Sequence, residues 1–188
     1  MSAPPDVPPI VARAFQVSRK AGYASFCRNE TGRLLATLAA TRTGTLAEFG
    51  TGCGVGTAWL RSGVPDGARI LTAELDARLA GAAAEIFADD PQVDVLSADW
   101  STLLDKGPFS LLFLDSGESQ EVRVDAVADL LEEGAIVVLD DFMPCQSWPP
   151  TAYGRVDTIR EEWLTDERFT AVEVMLSPDA SAIIATRR

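Results

Sequence analysis

An apolar run that breaks into alternating glycines constrains this chain more than any other feature. Thr45–Phe49 is apolar apart from Thr45 and Glu48, and Gly50, Gly52, Gly54 and Gly56 follow at every second position. The run reads as a buried strand. The glycines let the backbone turn sharply and pass close to a ligand with no Cβ in the way. Ala68–Leu75, Val93–Leu96, Phe109–Leu114 and Ala135–Leu139 are further apolar runs. Helical stretches separate them: an Ala-rich one after Asp76 to about Phe87, and one carrying Val122, Val124, Ala126, Val127, Leu130 and Leu131, with Gly134 as its C-terminal stop. Strands without polar alternation are covered on both faces, and strands alternating with helices form a parallel sheet. The spacing therefore predicts a doubly wound α/β fold.

The two ends differ from this pattern. Residues 1–9 are proline-rich, and Val11, Ala14 and Phe15 give an apolar stripe on a helix near 10–20. Residues 1–22 read as a flexible leader with an N-terminal helix whose stripe offers a surface to a second copy of the chain, a homodimer. Residues 23–188 read as one domain. Asn29 is placed to cap a helix carrying Leu34, Leu35 and Leu38. A helix near 153–164 precedes Thr170–Leu176 and Ser181–Thr186, which Ser177-Pro178-Asp179 joins into an antiparallel hairpin. The sheet then has about seven strands.

Composition excludes several classes. The 188 residues suit one domain, and 16 basic against 28 acidic residues leave a net charge of −12. A field of that sign repels phosphate backbones, so no nucleic acid is expected as a main partner. The absence of histidine removes imidazole acid–base chemistry and His-ligated zinc. Cys27, Cys53 and Cys145 form no Cys-x-x-Cys pair and read as reduced thiols. The N-terminus lacks a signal-peptide pattern, and no apolar run approaches a membrane span. A cytoplasmic location without membrane contact is the expectation.

The glycine spacing then separates two ligand classes. A dinucleotide loop of G-x-G-x-x-G type needs glycine at 55 or 57, where Val55 and Thr57 stand. That disfavours an NAD(P) oxidoreductase. Glu74 and Asp76 end the second strand, where a carboxylate can accept both ribose hydroxyl protons. An adenosine ligand without phosphates needs such an acceptor and no anion cradle.

Glu48–Gly56, Glu74 and Ser97-Ala98-Asp99-Trp100 together resemble a class I S-adenosylmethionine-dependent methyltransferase, from about residue 25 to the end. The resemblance implies Glu48 near the methionine amino end, Gly50, Gly52, Gly54 and Gly56 around the cofactor, and Glu74 on the ribose. It implies Asp99 and Trp100 beside the adenine. By spacing alone, Asp99 is equally a helix cap and Trp100 equally a core residue. The chain is most similar to catechol and caffeoyl-CoA type O-methyltransferases, in which the segment matching Ser25–Gly32 also touches the cofactor.

Asp115 ends the fourth strand, and Asp140 and Asp141 end the fifth. A parallel sheet delivers all three to one edge, where oxygen donors suit Mg²⁺ or another divalent cation. The resemblance implies a metal set of Asp115, Asp140 and Asp141, with Asp141 replacing the family's Asn. Its general-base lysine is replaced by Glu118. Asp115, Asp140 and Glu118 are the remaining candidates for catalysis. Flanking carboxylates raise one another's pKa, which suits a base. After strand five, Met143, Trp148 and Tyr153 could hold a flat small-molecule acceptor, beside Phe142, with Tyr23 and Phe26 closing the other side. Arg155 and Arg160 read as surface ion-pair partners. The activity expected is methyl transfer to a small molecule, at a hydroxyl oxygen and with cation assistance. The competing reading is an inactive cofactor-binding or interaction protein on the same fold.

Overall fold

The computed structural model describes residues 6–24, 27–115 and 122–188. Glu118 and Phe26 lie outside them. The chain runs α1 (Pro9–Lys20), α2 (Asn29–Ala39), β1 (Thr45–Phe49), α3 (Val55–Gly63), β2 (Arg69–Glu74), α4 (Ala77–Phe87), β3 (Val93–Ser97) and β4 (Phe109–Leu114). It continues with α5 (Val124–Val127), β5 (Leu131–Phe142), β6 (Thr151–Ala152), β7 (Arg155–Val156), α6 (Thr158–Thr165), β8 (Phe169–Ser177) and β9 (Ala180–Arg187).

Seven strands form one sheet in the order β3-β2-β1-β4-β5-β9-β8, and β6 pairs with β7 separately. Neighbours from β3 to β5 pair in parallel, and β9 is antiparallel to both β5 and β8. The expected doubly wound sheet with a terminal hairpin is thus the observed fold. Every residue of β4 is buried, as a central strand covered on both faces requires. At the edge, β3 is only partly covered.

Two cores flank the sheet. On one face Leu46, Ile70, Leu111 and Phe113 meet Leu35 of α2 and Trp59 of α3. On the other, Phe49, Leu112 and Val137 meet Val124, Val127 and Trp163. The N-terminal stripe packs against its own chain, with Phe15 only partly covered. Val11 and Ala14 are fully buried, and α1 packs on α3 and α4 within the same core as the rest of the chain.

The stretch after Val122 departs from expectation. α5 lasts four residues, a 3₁₀ turn covers Ala128–Leu130, and β5 begins at Leu131. Leu131 pairs with Phe109 while Leu111 pairs with Ile136, so β5 bulges in between. Gly134 sits in that bulge at φ 78°, a conformation glycine adopts without a steric cost. Its positive φ makes a strand irregularity, not a helix stop. Arg28, not Asn29, occupies the position before α2. Among the described residues no helix is long and apolar enough to cross a membrane, and all three cysteines are free thiols.

Candidate functional site

Strand order reverses between β1 and β4, and ligands of open α/β sheets bind at such a switch, beyond the strands' C-terminal ends. The glycine turn leaves β1 there. Gly54 takes φ 83° immediately before α3. Gly56 serves a close approach: a Cβ on it would lie 2.1 Å from Glu48 Oε1. Sheet register places Glu48 beside Thr72 of β2 and Phe113 of β4. Thr72 Oγ1 donates to Glu48 Oε2 at 2.8 Å, and Thr57 Oγ1 of α3 donates to the same oxygen. Glu48 is fully buried, and its Oε1 has no hydrogen-bond partner within the protein. Burial pushes its pKa up to about 7, against the opposing pull of the two threonine bonds. The hydroxyls of Thr72 and Thr51 lie 2.5 Å apart, which links this carboxylate to the glycine turn.

Glu74 closes the other side. Its Oε2 accepts from Gly52 N–H at 2.8 Å and its Oε1 from Asp76 N–H at 2.9 Å. Asp76 itself caps α4, accepting from Arg78 N–H at 2.8 Å, so the terminal carboxylate facing the turn is Glu74. Asp99 accepts from Ser101 N–H at 2.9 Å and caps the 3₁₀ turn Trp100–Leu103. Trp100 stacks on Phe49, with ring centroids 4.9 Å apart. Leu75, which the pattern reading passed over, is 67% exposed next to Glu74. Its exposure just past the end of β2 is what marks it out.

Asp115 follows β4, its N–H donating to Phe49 O at 3.1 Å. Burial raises its pKa well above the carboxylate range, and Glu48, Asp140 and Asp141 push the same way. Asp140 and Asp141 form a bulge in β5: Leu139 pairs with Ile183 and Phe142 with Ser181, leaving one extra residue. Asp141 takes φ 67° and is exposed, while Asp140 turns inward and is 3% exposed. Such a bulge re-aims the side chains of a strand end. Thr31 Oγ1 of α2 donates to Asp140 Oδ1 at 3.1 Å, while Oδ2 is buried with no partner in the protein. Burial pushes the Asp140 pKa up to about 6. Cys27 is buried beside this group. Desolvation raises its pKa, and Asp115, Asp140, Glu48 and Asp141 add to the rise.

The three aspartates share one sheet end but do not make a metal site. Among the described residues no three His, Cys, Asp or Glu side chains are arranged to hold an ion. One oxygen of Asp140 is taken by Thr31, and the bulge separates Asp141 to the exposed side. This donor set does not fit the implied cation.

The expected acceptor residues divide. Met143 and Tyr153 border one recess with Asp141 and Arg160, of about 30 Å³, room for about one water. Trp148 does not line it and is 64% exposed. Phe142 also lines it but is largely buried, with the Arg160 guanidinium 4.9 Å from its ring centroid. Arg160 pairs with Asp157 at 3.2 Å and Glu173 at 3.3 Å, but buried at 1% exposure instead of on the surface. Sequence reasoning missed a cavity of about 380 Å³ at the tip of the β8–β9 hairpin, lined by Glu30, Met175, Leu176, Ser177 and Pro178. It adjoins Thr31 and shares the carboxylates' end of the sheet. A further cavity, about 670 Å³, lies along β3 at the opposite strand ends, among Thr45, Arg69, Asp94 and Lys106. None of the site carboxylates lines it.

Similarity to known proteins agrees with this geometry. The chain resembles the O-methyltransferase from Bacillus cereus, solved in complex with SAH, at 21% identity and TM-score 0.77, over 98% of this chain and 93% of that one. It resembles the O-methyltransferase TomG from Streptomyces achromogenes, involved in tomaymycin synthesis and solved with SAM, at 22% identity and TM-score 0.76, over 97% and 92%. A SAM-dependent O-methyltransferase from Thermotoga maritima is similar at 16% identity and TM-score 0.71, over 96% and 72%. At these identities the likeness is one of fold. No curated protein matches the sequence significantly. A family model described as a methyltransferase domain matches residues 47–142, from the strand before the glycine turn to the end of β5. That span is more than half of the chain and holds Glu48, Glu74, Asp115 and Asp140, and the chain belongs to this methyltransferase-domain family.

Proposed function

We propose that the chain transfers the methyl group of S-adenosylmethionine to a hydroxyl oxygen of a small molecule. The observation that carries this reading is the pair of carboxylates flanking the glycine turn: Glu74, bonded to Gly52 N–H, and Glu48, buried with one oxygen unpartnered. The unpartnered Glu48 Oε1 fits the ammonium end of such a cofactor, because a buried acceptor without a donor is costly. Glu74 fits ribose hydroxyls, and Leu75 and Trp100 offer apolar surface to the base. When bound, S-adenosylmethionine supplies an electrophilic methyl on a cationic sulfur.

The other residues then act on the acceptor. Asp140 presents Oδ2 at the same edge, held by Thr31, and takes the hydroxyl proton as the oxygen attacks. Its raised pKa suits a base working near neutrality. The positive charge of a bound cofactor would favour the ionised form of Asp115, against the burial that keeps it protonated, and Glu118 is a second candidate base. Much of the acceleration comes from holding the two reactants in line. The hairpin-tip cavity, with Met175, Leu176 and Pro178, takes the apolar body of the acceptor. Oxygen as the acceptor atom rests on the solved O-methyltransferases and on the resemblance to the catechol and caffeoyl-CoA group. The chain departs from that group at Glu118 and in its donor set.

Calorimetric titration with S-adenosylhomocysteine tests this. Micromolar binding is expected, weakened about tenfold or more by Glu74→Ala, since a paired charged acceptor is removed. Absence of binding by the unaltered chain would sink the reading. Tight binding without turnover across an acceptor screen would favour the inactive cofactor-binding protein.

A further inference from the structure

The segment after α1 does more than lead into the domain. The chain leaves the helix through Gly22 at φ 68° and folds back on itself. Tyr23 N–H donates to Ser18 O at 3.0 Å, and Ser18 Oγ donates back to Tyr23 O at 2.7 Å. Arg78 of α4 reaches over to donate to Ala21 O at 3.0 Å. The segment is thereby tied to the helix that follows Glu74.

The Tyr23 side chain lies on the glycine turn. A Cβ on Gly52 would stand 2.8 Å from Tyr23 Cε1 and 3.1 Å from its hydroxyl oxygen. The same Gly52 gives its N–H to Glu74. The phenol, the backbone of the turn and the carboxylate at the end of β2 are therefore contiguous. Sequence reasoning placed Tyr23 on the acceptor side, but it sits over the loop that follows β1. The ring is half-buried.

We propose that Tyr23 is a cofactor-contacting residue: its ring walls the cleft over Gly52, and its hydroxyl serves the nucleoside held by Glu74. This rests on the cofactor reading above and adds a ligand contact from α1's end of the chain. An aromatic wall excludes water from the ribose–carboxylate bonds and strengthens them. Gly52 is then required on two counts, for its backbone at φ 53° and for the room it leaves the ring.

Tyr23 and Tyr153 are the only tyrosines, and Tyr153 is 88% exposed and far along the chain. Nitration with tetranitromethane, mapped by peptide, therefore carries an internal control. Saturating S-adenosylhomocysteine should slow nitration at Tyr23 by about tenfold and leave Tyr153 unchanged. In calorimetry without any acceptor, Tyr23→Ala should weaken S-adenosylhomocysteine about tenfold, with Tyr23→Phe between the two. The melting temperature without ligand should stay close to that of the unaltered chain. If the unaltered chain binds and Tyr23 is nitrated equally with and without ligand, the proposal fails and the cofactor reading stands. If the unaltered chain does not bind, both fall together.

Discussion

Glu48 is a costly side chain to bury. Register forces it between Thr72 and Phe113 under α3, and both threonine donors reach only one of its oxygens. The proton is held more tightly in the folded state, with a pKa of about 7 against an ordinary 4.5. The stabilising contribution is therefore full below about pH 4.5 and is lost as pH rises to about 7. Above that the charged form costs roughly 3 to 4 kcal/mol, since the group is raised from 4.5 to about 7 at about 1.4 kcal/mol per pKa unit. Glu48→Gln removes the charge and keeps an acceptor for the threonines. Denaturant melts should show the variant more stable than the parent at pH 8 by up to about that amount, and equal near pH 4. Parallel pH profiles for the two would show that Glu48 does not titrate in this range. S-adenosylhomocysteine should bind the variant more weakly, since the acceptor for its ammonium is gone.

At the scale of elements, the strand-to-helix turn is the sensitive joint. Gly56→Ala would drive a methyl into Glu48 Oε1 and toward Phe113, whose Cε1 lies 2.9 Å from the ideal Cβ position. Glu48 cannot yield, because Thr57 and Thr72 fix it. A loss of about 2 kcal/mol or more is expected, read as a shifted urea midpoint with the slope unchanged. An unshifted midpoint would mean that α3 moves freely against β1. The elements legible beforehand were those whose signal is local. Buried strands declare themselves by unbroken apolar runs, and the glycine turn by its spacing. Distant pairing erased the rest. Val122–Leu131 carries a helical pattern, yet Leu131 is claimed by Phe109 across the sheet and the helix stops after Val127. The metal set read from Asp115, Asp140 and Asp141 assumed a regular strand end, and the bulge at Asp140–Asp141 removes that regularity. Tyr23 was visible as an aromatic, but only the fold says which side of the cleft it serves.

On the scale of the molecule, charge is distributed against folding. The chain carries −12, and Glu48, Glu74, Asp115, Asp140 and Asp141 crowd one end of the sheet. Raising the salt from about 0.02 to 0.5 M shortens the Debye length from over 20 Å to under 5 Å. The melting temperature should rise by a few degrees as self-repulsion is screened, on the order of 1 kcal/mol. A fall would show that the surface pairs Arg28–Asp179 and Arg69–Asp94 outweigh that repulsion. The buried Arg160 group is screened far less and should contribute alike at both ends of the range.

The threonine contacts around Glu48 also set a direction. Each hydroxyl has one proton to give. Thr72 spends its own on Glu48, so the 2.5 Å contact with Thr51 can be filled only by the proton of Thr51. The relay therefore runs one way, from the turn inward, and the hydroxyl nearest the turn keeps only lone pairs for a visitor. Donors for an acidic group at this loop therefore come from the backbone N–H groups that open α3, not from Thr51.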